Sequence, residues 1–284
     1  MREEVGPLLT APVHEALLAA RAAGTATLAC SLDLDRSVTS VQANAAAWVW
    51  DGHQFPFLEV CKDRTIYYWT GTVFEPVARF GTSLIKLVPT QWGPPTFEID
   101  GIKMLPTARV SPYDDAARKV ALIQPRGKTI LDTCGGLGYF AACCLRGGAA
   151  RIHSYEKNPD VIWLRSLNPW SPDSAWSRQQ HCPLTLTRGD ITTLITSLPN
   201  ESVDAVLHDP PRFAIAGELY SRIFYDQLAR VLKRNGRLFH YTGTPNKFSR
   251  GRNLQNEVAI RLRSAGFAVN LKGDDILAIK TRSS

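Results

Sequence analysis

The 284-residue chain reads as an α/β protein: a mostly parallel, seven-stranded sheet with helices on both faces, preceded by a small, mainly β region. Three observations carry this reading. From about Arg109 onward, short apolar runs alternate with helix-forming ones, the pattern of parallel strands joined by crossover helices. Runs such as VDAVL (203–207) are continuously apolar, as strands covered on both faces are. A glycine-rich turn after TILDT leads straight into a helical run. Composition agrees, since 44% hydrophobic and 21% charged residues supply a core and exclude disorder or a collagen-like chain.

The elements follow in order. Val13, Leu17, Leu18 and Ala22 recur at helical spacing, so residues 1–24 predict one helix. TATLACSLDL, RTIYYWTG, SLIKLVPT and PTFEIDGIKML are β-prone runs broken by Asp-Gly and Gly-Pro-Pro, which predicts antiparallel strands to about Thr107. Residues 1–108 are therefore read as a helix and β-rich accessory or substrate region, and 109–284 as the catalytic domain. In the second part TILDT, RIHSYE, LTLTRGD, VDAVLHD and RLFHYTG are strands. Helices are expected at GYFAACCLRG, PDVIWLRSL, LYSRIFYDQLARVLKR and EVAIRLRSAG. FAVNLK and ILAIKT, joined through Gly-Asp-Asp, form a closing hairpin, so the sheet ends with an antiparallel strand.

The chemistry begins at Asp132, where the first of these strands stops. Gly135, Gly136 and Gly138 then open a helix, and glycines there let backbone approach a ligand beside free helix N–H groups. The next strand ends in Glu156, so both carboxylates fall at the carboxyl edge of the sheet, where a carboxylate can accept the two hydroxyls of a ribose. Gly136-x-Gly138-x-x-Ala141 also matches a dinucleotide fingerprint, but there the first glycine follows the strand more closely.

Asp-x-x-x-Gly-x-Gly followed by a strand-end acid resembles motifs I and II of class I S-adenosylmethionine-dependent methyltransferases, with Cys134 where many members have a glycine. The resemblance implies a Rossmann-like fold and S-adenosyl-L-methionine as cofactor. It implies that Asp132, Cys134, Gly135, Gly136 and Gly138 hold the methionine end, Glu156 with its neighbour Lys157 the ribose, and Asp190 with Ile191 the adenine. Asp209-Pro210-Pro211 resembles motif IV of methyltransferases acting on amino groups or nucleic acids, with Arg212 where many members have an aromatic and Phe213 following it. Two prolines fix a rigid strand exit whose carbonyls and Asp209 carboxylate can orient an acceptor. Asp-Pro-Pro-Arg is also found in RNA uridine C5-methyltransferases, which need a later nucleophilic cysteine; none follows Cys182 here. The chain is also similar to a group of predicted archaeal and bacterial methyltransferases in HDPPRF, GELYS and LFHYTGTP.

Other residues have a bland reading beside the functional one. His208 and His240 are proton acceptors or core histidines. Tyr113 and Asp114 are lid residues over the site or helix caps, and Tyr241 closes a strand beside it. Lys247, Arg250 and Arg252 with Arg212 form a basic rim or a solvated loop. Trp48, Trp50 and Tyr67 to Trp69 stack bases or pack a β core. No metal site is expected, since His181, Cys182, Cys143 and Cys144 lack zinc spacing.

The function predicted is methyl transfer to an amino nitrogen, or an oxygen, of a small molecule or RNA, with Asp209 and His208 as catalytic residues. A spermidine synthase-like aminopropyltransferase keeps the same fold, although Arg212 and the basic rim oppose a polycationic substrate. A non-catalytic RNA-binding module is permitted by the net charge of +7, and an NAD-linked oxidoreductase comes last. No run approaches the roughly 20 apolar residues of a membrane span, the N-terminus lacks signal-peptide character, and the six cysteines, with no C-x-x-C pair in a chain too large to need disulfide staples, are expected to be reduced and mostly buried. The expected location is the cytoplasm, without a membrane partner.

Overall fold

The computed structural model describes residues 6–172, 183–243 and 253–281. Two compact units emerge: Met1–Asp115 with Trp163–Asp173, and Ala116–Ile162 with Ser174–Ser284.

The first unit is built from β1 (Leu8–Leu9), α1 (Ala11–Ala23), β2 (Thr27–Cys30), β3 (Thr39–Ala43), β4 (Ala47–Trp50) and β5 (His53–Pro56). It continues through β6 (Tyr67–Trp69), β7 (Phe74–Pro76), β8 (Ala78–Phe80), β9 (Leu84–Val88), β10 (Thr96–Ile99) and β11 (Ile102–Lys103). These strands form three small antiparallel sheets, ordered β1-β6-β7, β2-β3-β4-β5 and β11-β10-β9-β8. Both Asp-Gly turns act as hairpin turns: Asp51 (φ 49) with Gly52 (φ 75), and Asp100 (φ 48) with Gly101 (φ 77), supply the two left-handed residues such turns need. The core packs Trp48, which is fully buried, against Phe55 (ring centroids 4.6 Å) and Phe74 (6.0 Å), with Leu9, Leu17 and Val41 around them. Trp48 therefore belongs to the β core and is closed to a base.

The helix α2 (Pro112–Ile123) precedes the large sheet, which begins with β12 (Thr129–Asp132). Then come α3 (Tyr139–Arg146), β13 (Arg151–Glu156), α4 (Pro159–Leu167), β14 (Leu184–Arg188), α5 (Ile191–Leu194), β15 (Val203–His208) and α6 (Arg222–Val231). The sequence closes with β16 (Leu232–Tyr241), α7 (Leu254–Ser264), β17 (Phe267–Lys272) and β18 (Asp275–Lys280). The strand order is β14-β13-β12-β15-β16-β18-β17. The first five are parallel, and β18 runs antiparallel between β16 and β17. This is the seven-stranded, mostly parallel, Rossmann-like sheet expected from the alternation. The β17–β18 turn is Gly273-Asp274, with Gly273 at φ 64.

Two elements differ. The single helix expected over residues 1–24 is a short strand, β1, followed by α1 from Ala11, where Pro12 suits the first turn of a helix. A strand was expected from Arg237, after an Asn-Gly turn, but β16 begins at Leu232 directly after α6. Its pairing jumps from Val203–Leu232 to Ala205–Arg237, so residues 233–236 bulge opposite Asp204. Asn235, at φ 62, accommodates the bulge, and Lys233 Nζ holds it by a 2.7 Å bond to Asp204.

The core of this sheet centres on Val206, Leu238 and Ala278, covered by Tyr225, Leu228, Val258 and Leu262. The chain reverses its direction of strand addition between β12 and β15. In an open parallel sheet, that switch point is where a crevice forms beyond the carboxyl ends.

Candidate active site

Asp132, the last residue of β12, is buried, and its Oδ2 accepts a bond from the Ser154 hydroxyl on β13 (2.8 Å). The loop after it is tied to both flanking strands: Thr133 N–H donates to the Leu207 carbonyl (3.1 Å) and Gly135 N–H to that of Tyr155 (2.7 Å). Gly136 (φ 48) and Gly138 (φ 81) take left-handed backbone that a β-carbon would strain. Gly138 then caps α3 without a side-chain hydrogen bond.

Glu156 closes β13 half-buried. Its Oε2 accepts the Gly136 N–H and its Oε1 the Asn158 N–H, both at 2.9 Å. The glycine loop and the second-strand acid are thus already joined. Asp190 caps α5, accepting from the Thr192 N–H (2.9 Å) and hydroxyl (2.7 Å), with Lys157 Nζ at 3.7 Å. Burial raises its pKa, but these bonds and Lys157 outweigh burial and leave it below the usual carboxylate value. Lys157 also lies 3.6 Å from Glu218. Ile191 is buried, and its side chain belongs to the hydrophobic core. Burial pushes the Cys134 thiol well up, and the carboxylates of Glu156, Asp132 and Asp209 push it further. Those three strand-end acids therefore share one field, and Cys134 stays a thiol.

Asp209, just past β15, is the acid on the far side of the switch point. Lys119, which the sequence reading missed, reaches it from α2 with Nζ 3.0 Å from Oδ2. The lysine side chain is 3% exposed and its Nζ stands 4.1 Å from the centroid of the Tyr241 ring, with Phe140 and Phe239 near 6 Å. Ala116, Lys119, Val120 and Ile123 share one buried face of α2, so a cation interrupting an apolar stripe was the available signal. Pro210 is buried. Pro211 offers its carbonyl to the Tyr220 hydroxyl (2.9 Å), and the Arg212 carbonyl accepts the Ile215 N–H (2.8 Å). Of the carbonyls expected to face an acceptor, that of Pro211 is thus bonded within the protein. Phe213 packs its ring 5.4 Å from Tyr220 and stays 43% exposed, and Arg212 is exposed.

The two histidines lie beneath this exit, paired across β15 and β16 with ring centroids 4.4 Å apart. His208 Nε2 faces the Leu219 carbonyl (3.0 Å), so it carries the proton, and Nδ1 accepts from the Thr133 hydroxyl (2.7 Å). His240 likewise donates Nδ1–H to the Tyr241 carbonyl (3.0 Å) and accepts from the Tyr225 hydroxyl (2.9 Å). Burial lowers the pKa of His208 to about 4 and takes His240 well below its usual value, the second helped by the first. The proton-accepting role expected of His208 meets a ring with no open nitrogen. Tyr113 belongs to the first unit, its ring 5.5 Å from Trp170. Lys247, Arg250, Arg252, His181 and Cys182 lie outside the described residues. Among the described residues no group of three His, Cys, Asp or Glu side chains forms a metal site, and no helix is long and apolar enough to cross a membrane.

Comparison with known proteins agrees with this geometry. Residues 152–256 match the model of an S-adenosyl-L-methionine-dependent methyltransferase family. The chain is 42% identical over 231 residues to the uncharacterized protein MJ1233 of Methanocaldococcus jannaschii, covering 79% of this chain and 77% of that one. Among solved structures it resembles a spermidine synthase in complex with the transition-state analogue AdoDATO (TM-score 0.55, 14% identity, 72% of each chain). It also resembles MNMC2 from Aquifex aeolicus (TM-score 0.52, 18% identity, 70% of this chain and 71% of that one). These two likenesses are of fold. With the family match and the relative from Methanocaldococcus, the chain belongs to the S-adenosyl-L-methionine-dependent methyltransferases.

Proposed function

We propose that the protein moves the methyl group of S-adenosyl-L-methionine to a nitrogen or oxygen of an acceptor seated at Asp209-Pro210-Pro211. The observation that carries the reading is the 2.9 Å bond from the Gly136 N–H to Glu156 Oε2, which sets the loop and the acid in one frame. The donor set fits the cofactor. Glu156 accepts a backbone N–H on each oxygen, which orients its carboxylate at the end of β13, and a carboxylate in that place suits a ribose diol. Asp132 and the glycine loop suit the methionine end, and Asp190 with the backbone at Ile191 suits adenine.

When bound, S-adenosyl-L-methionine supplies an electrophilic methyl: the acceptor's lone pair forms the new bond while the sulfur–carbon pair returns to sulfur. The protein's part is alignment, which lowers such a barrier by about 7–11 kcal/mol at the ideal limit. Asp209 and the rigid prolines orient the acceptor, and the proton shed by the acceptor passes to water because His208 and His240 are engaged. The first unit, rich in β structure, is assigned to acceptor choice, from small molecules or RNA. The free cysteines Cys30, Cys61, Cys134, Cys143 and Cys144 suit a reducing cytoplasm.

Calorimetric titration with S-adenosyl-L-methionine, S-adenosylhomocysteine, decarboxylated S-adenosylmethionine and NAD tests the reading. Micromolar binding of the first two supports it and justifies a screen for methyl uptake. Preference for the decarboxylated compound would move an aminopropyl transferase, favoured by the spermidine synthase-like fold, to first place. Binding of none would refute the cofactor assignment.

A further inference from the structure

We infer that Lys119 fixes the charge of the acceptor: the group methylated beside Asp209 is uncharged, a neutral nitrogen or a hydroxyl, and alkylammonium compounds are excluded. This rests on Asp209 being the acceptor-side carboxylate. Two independent features converge on it.

The first is the ion pair. A bare carboxylate at a strand exit is the natural seat for an incoming ammonium, but here the protein's own ammonium already stands 3.0 Å from Oδ2. Lys119 cannot easily yield that place. Its side chain is buried on the apolar face of α2, and its Nζ lies over Tyr241 with the Phe140 and Phe239 rings near 6 Å. Displacing it from Asp209 would leave a charge in an aromatic box without its carboxylate, an expensive state. Exposed Arg212, three residues beyond Asp209, adds positive charge to the same loop and further opposes a polycation.

The second feature is that, among the described residues, the two histidines at this exit offer no open ring nitrogen. An alkylammonium has no lone pair and must lose a proton before it can attack. The histidines nearest this exit have both ring nitrogens engaged and are held neutral by burial. A neutral nitrogen such as an aromatic or exocyclic amine, or a hydroxyl, brings its lone pair with it. Its proton leaves to water as the new bond forms, so the site needs no resident base.

The test is calorimetry on the full chain saturated with S-adenosylhomocysteine, using putrescine and spermidine as probes. Wild type is expected to bind neither below millimolar concentration. Lys119→Met, which removes the resident ammonium from Asp209 Oδ2, is expected to bind them at least tenfold more tightly, and Lys119→Arg to resemble wild type. Micromolar binding to wild type that is lost in Asp209→Asn would overturn the inference. So would a folded Lys119→Met protein with no gain. If Lys119→Met does not fold, the comparison of wild type with Asp209→Asn decides alone: no Asp209-dependent binding supports the inference, and such binding refutes it. Failure of wild type to take S-adenosylhomocysteine would instead defeat the methyltransferase reading, a separate and visible result.

Discussion

Replacing Glu156 by alanine isolates the joint between the glycine loop and the end of β13, the side proposed for the ribose. The carboxylate accepts two backbone N–H groups at 2.9 Å, from Gly136 and Asn158. Bonds to a charged acceptor contribute about 1.5–3 kcal/mol each. In the free protein the two donors regain water at this half-buried position, so the stability loss should be about 1 kcal/mol. In the complex a ribose hydroxyl loses the same kind of partner, and one such bond corresponds to roughly a 10- to 150-fold weaker Kd. Glu156→Gln should be nearly as damaging. Both oxygens face N–H donors, so an amide must turn its own NH2 toward one of them. Calorimetric titration with S-adenosylhomocysteine, beside a circular-dichroism check of the fold, measures both variants. A Kd within threefold of wild type for a folded Glu156→Ala protein would refute the assignment of Glu156 to the ribose.

Three further outcomes are expected. His208 titrates near pH 4 when folded and near 6.5 when unfolded, so the unfolded chain binds the proton first as pH falls. Its contribution is intact above about pH 6.5, falls by about 2 kcal/mol by pH 5 and is lost fully below pH 4; thermal melts that do not shift across this window would count against a buried neutral ring. Gly138→Ala should lose about 1–2 kcal/mol in urea unfolding, because φ 81 is left-handed and costly for a β-carbon. Trp48→Ala should lose about 3–5 kcal/mol in the first unit, read as faster amide exchange in β4 and β5, and unchanged exchange there would contradict the stacked core.

The positions of Asp132, Glu156, Asp190 and Asp209 were legible because each strand announces its end locally, an apolar run meeting an acid. The same local logic gave the antiparallel close through the turn between FAVNLK and ILAIKT. Lys119 was not legible as a site residue, because its partner lies 90 positions away and only the packed sheet brings them together. His208 was misread for a related reason. Its place beside Asp209 suggested a shared surface, but successive strand residues point to opposite sides, and His208 turns into the core with Leu219. The early start of β16 escaped because Asn-Gly more often closes a hairpin than a bulge.

The insertion of β18 between β16 and β17 makes assembly of that flank conditional. The edge strand β17 hydrogen-bonds to β18 and not to β16, so it has no berth on the sheet until β18 has arrived. The α7–β17–β18 segment should therefore dock late and leave together, as one cooperative unit with a shared opening free energy. A nascent chain halted before residue 275 would present β16 as an unpaired apolar edge, the kind of surface that chaperones and neighbouring chains recognise.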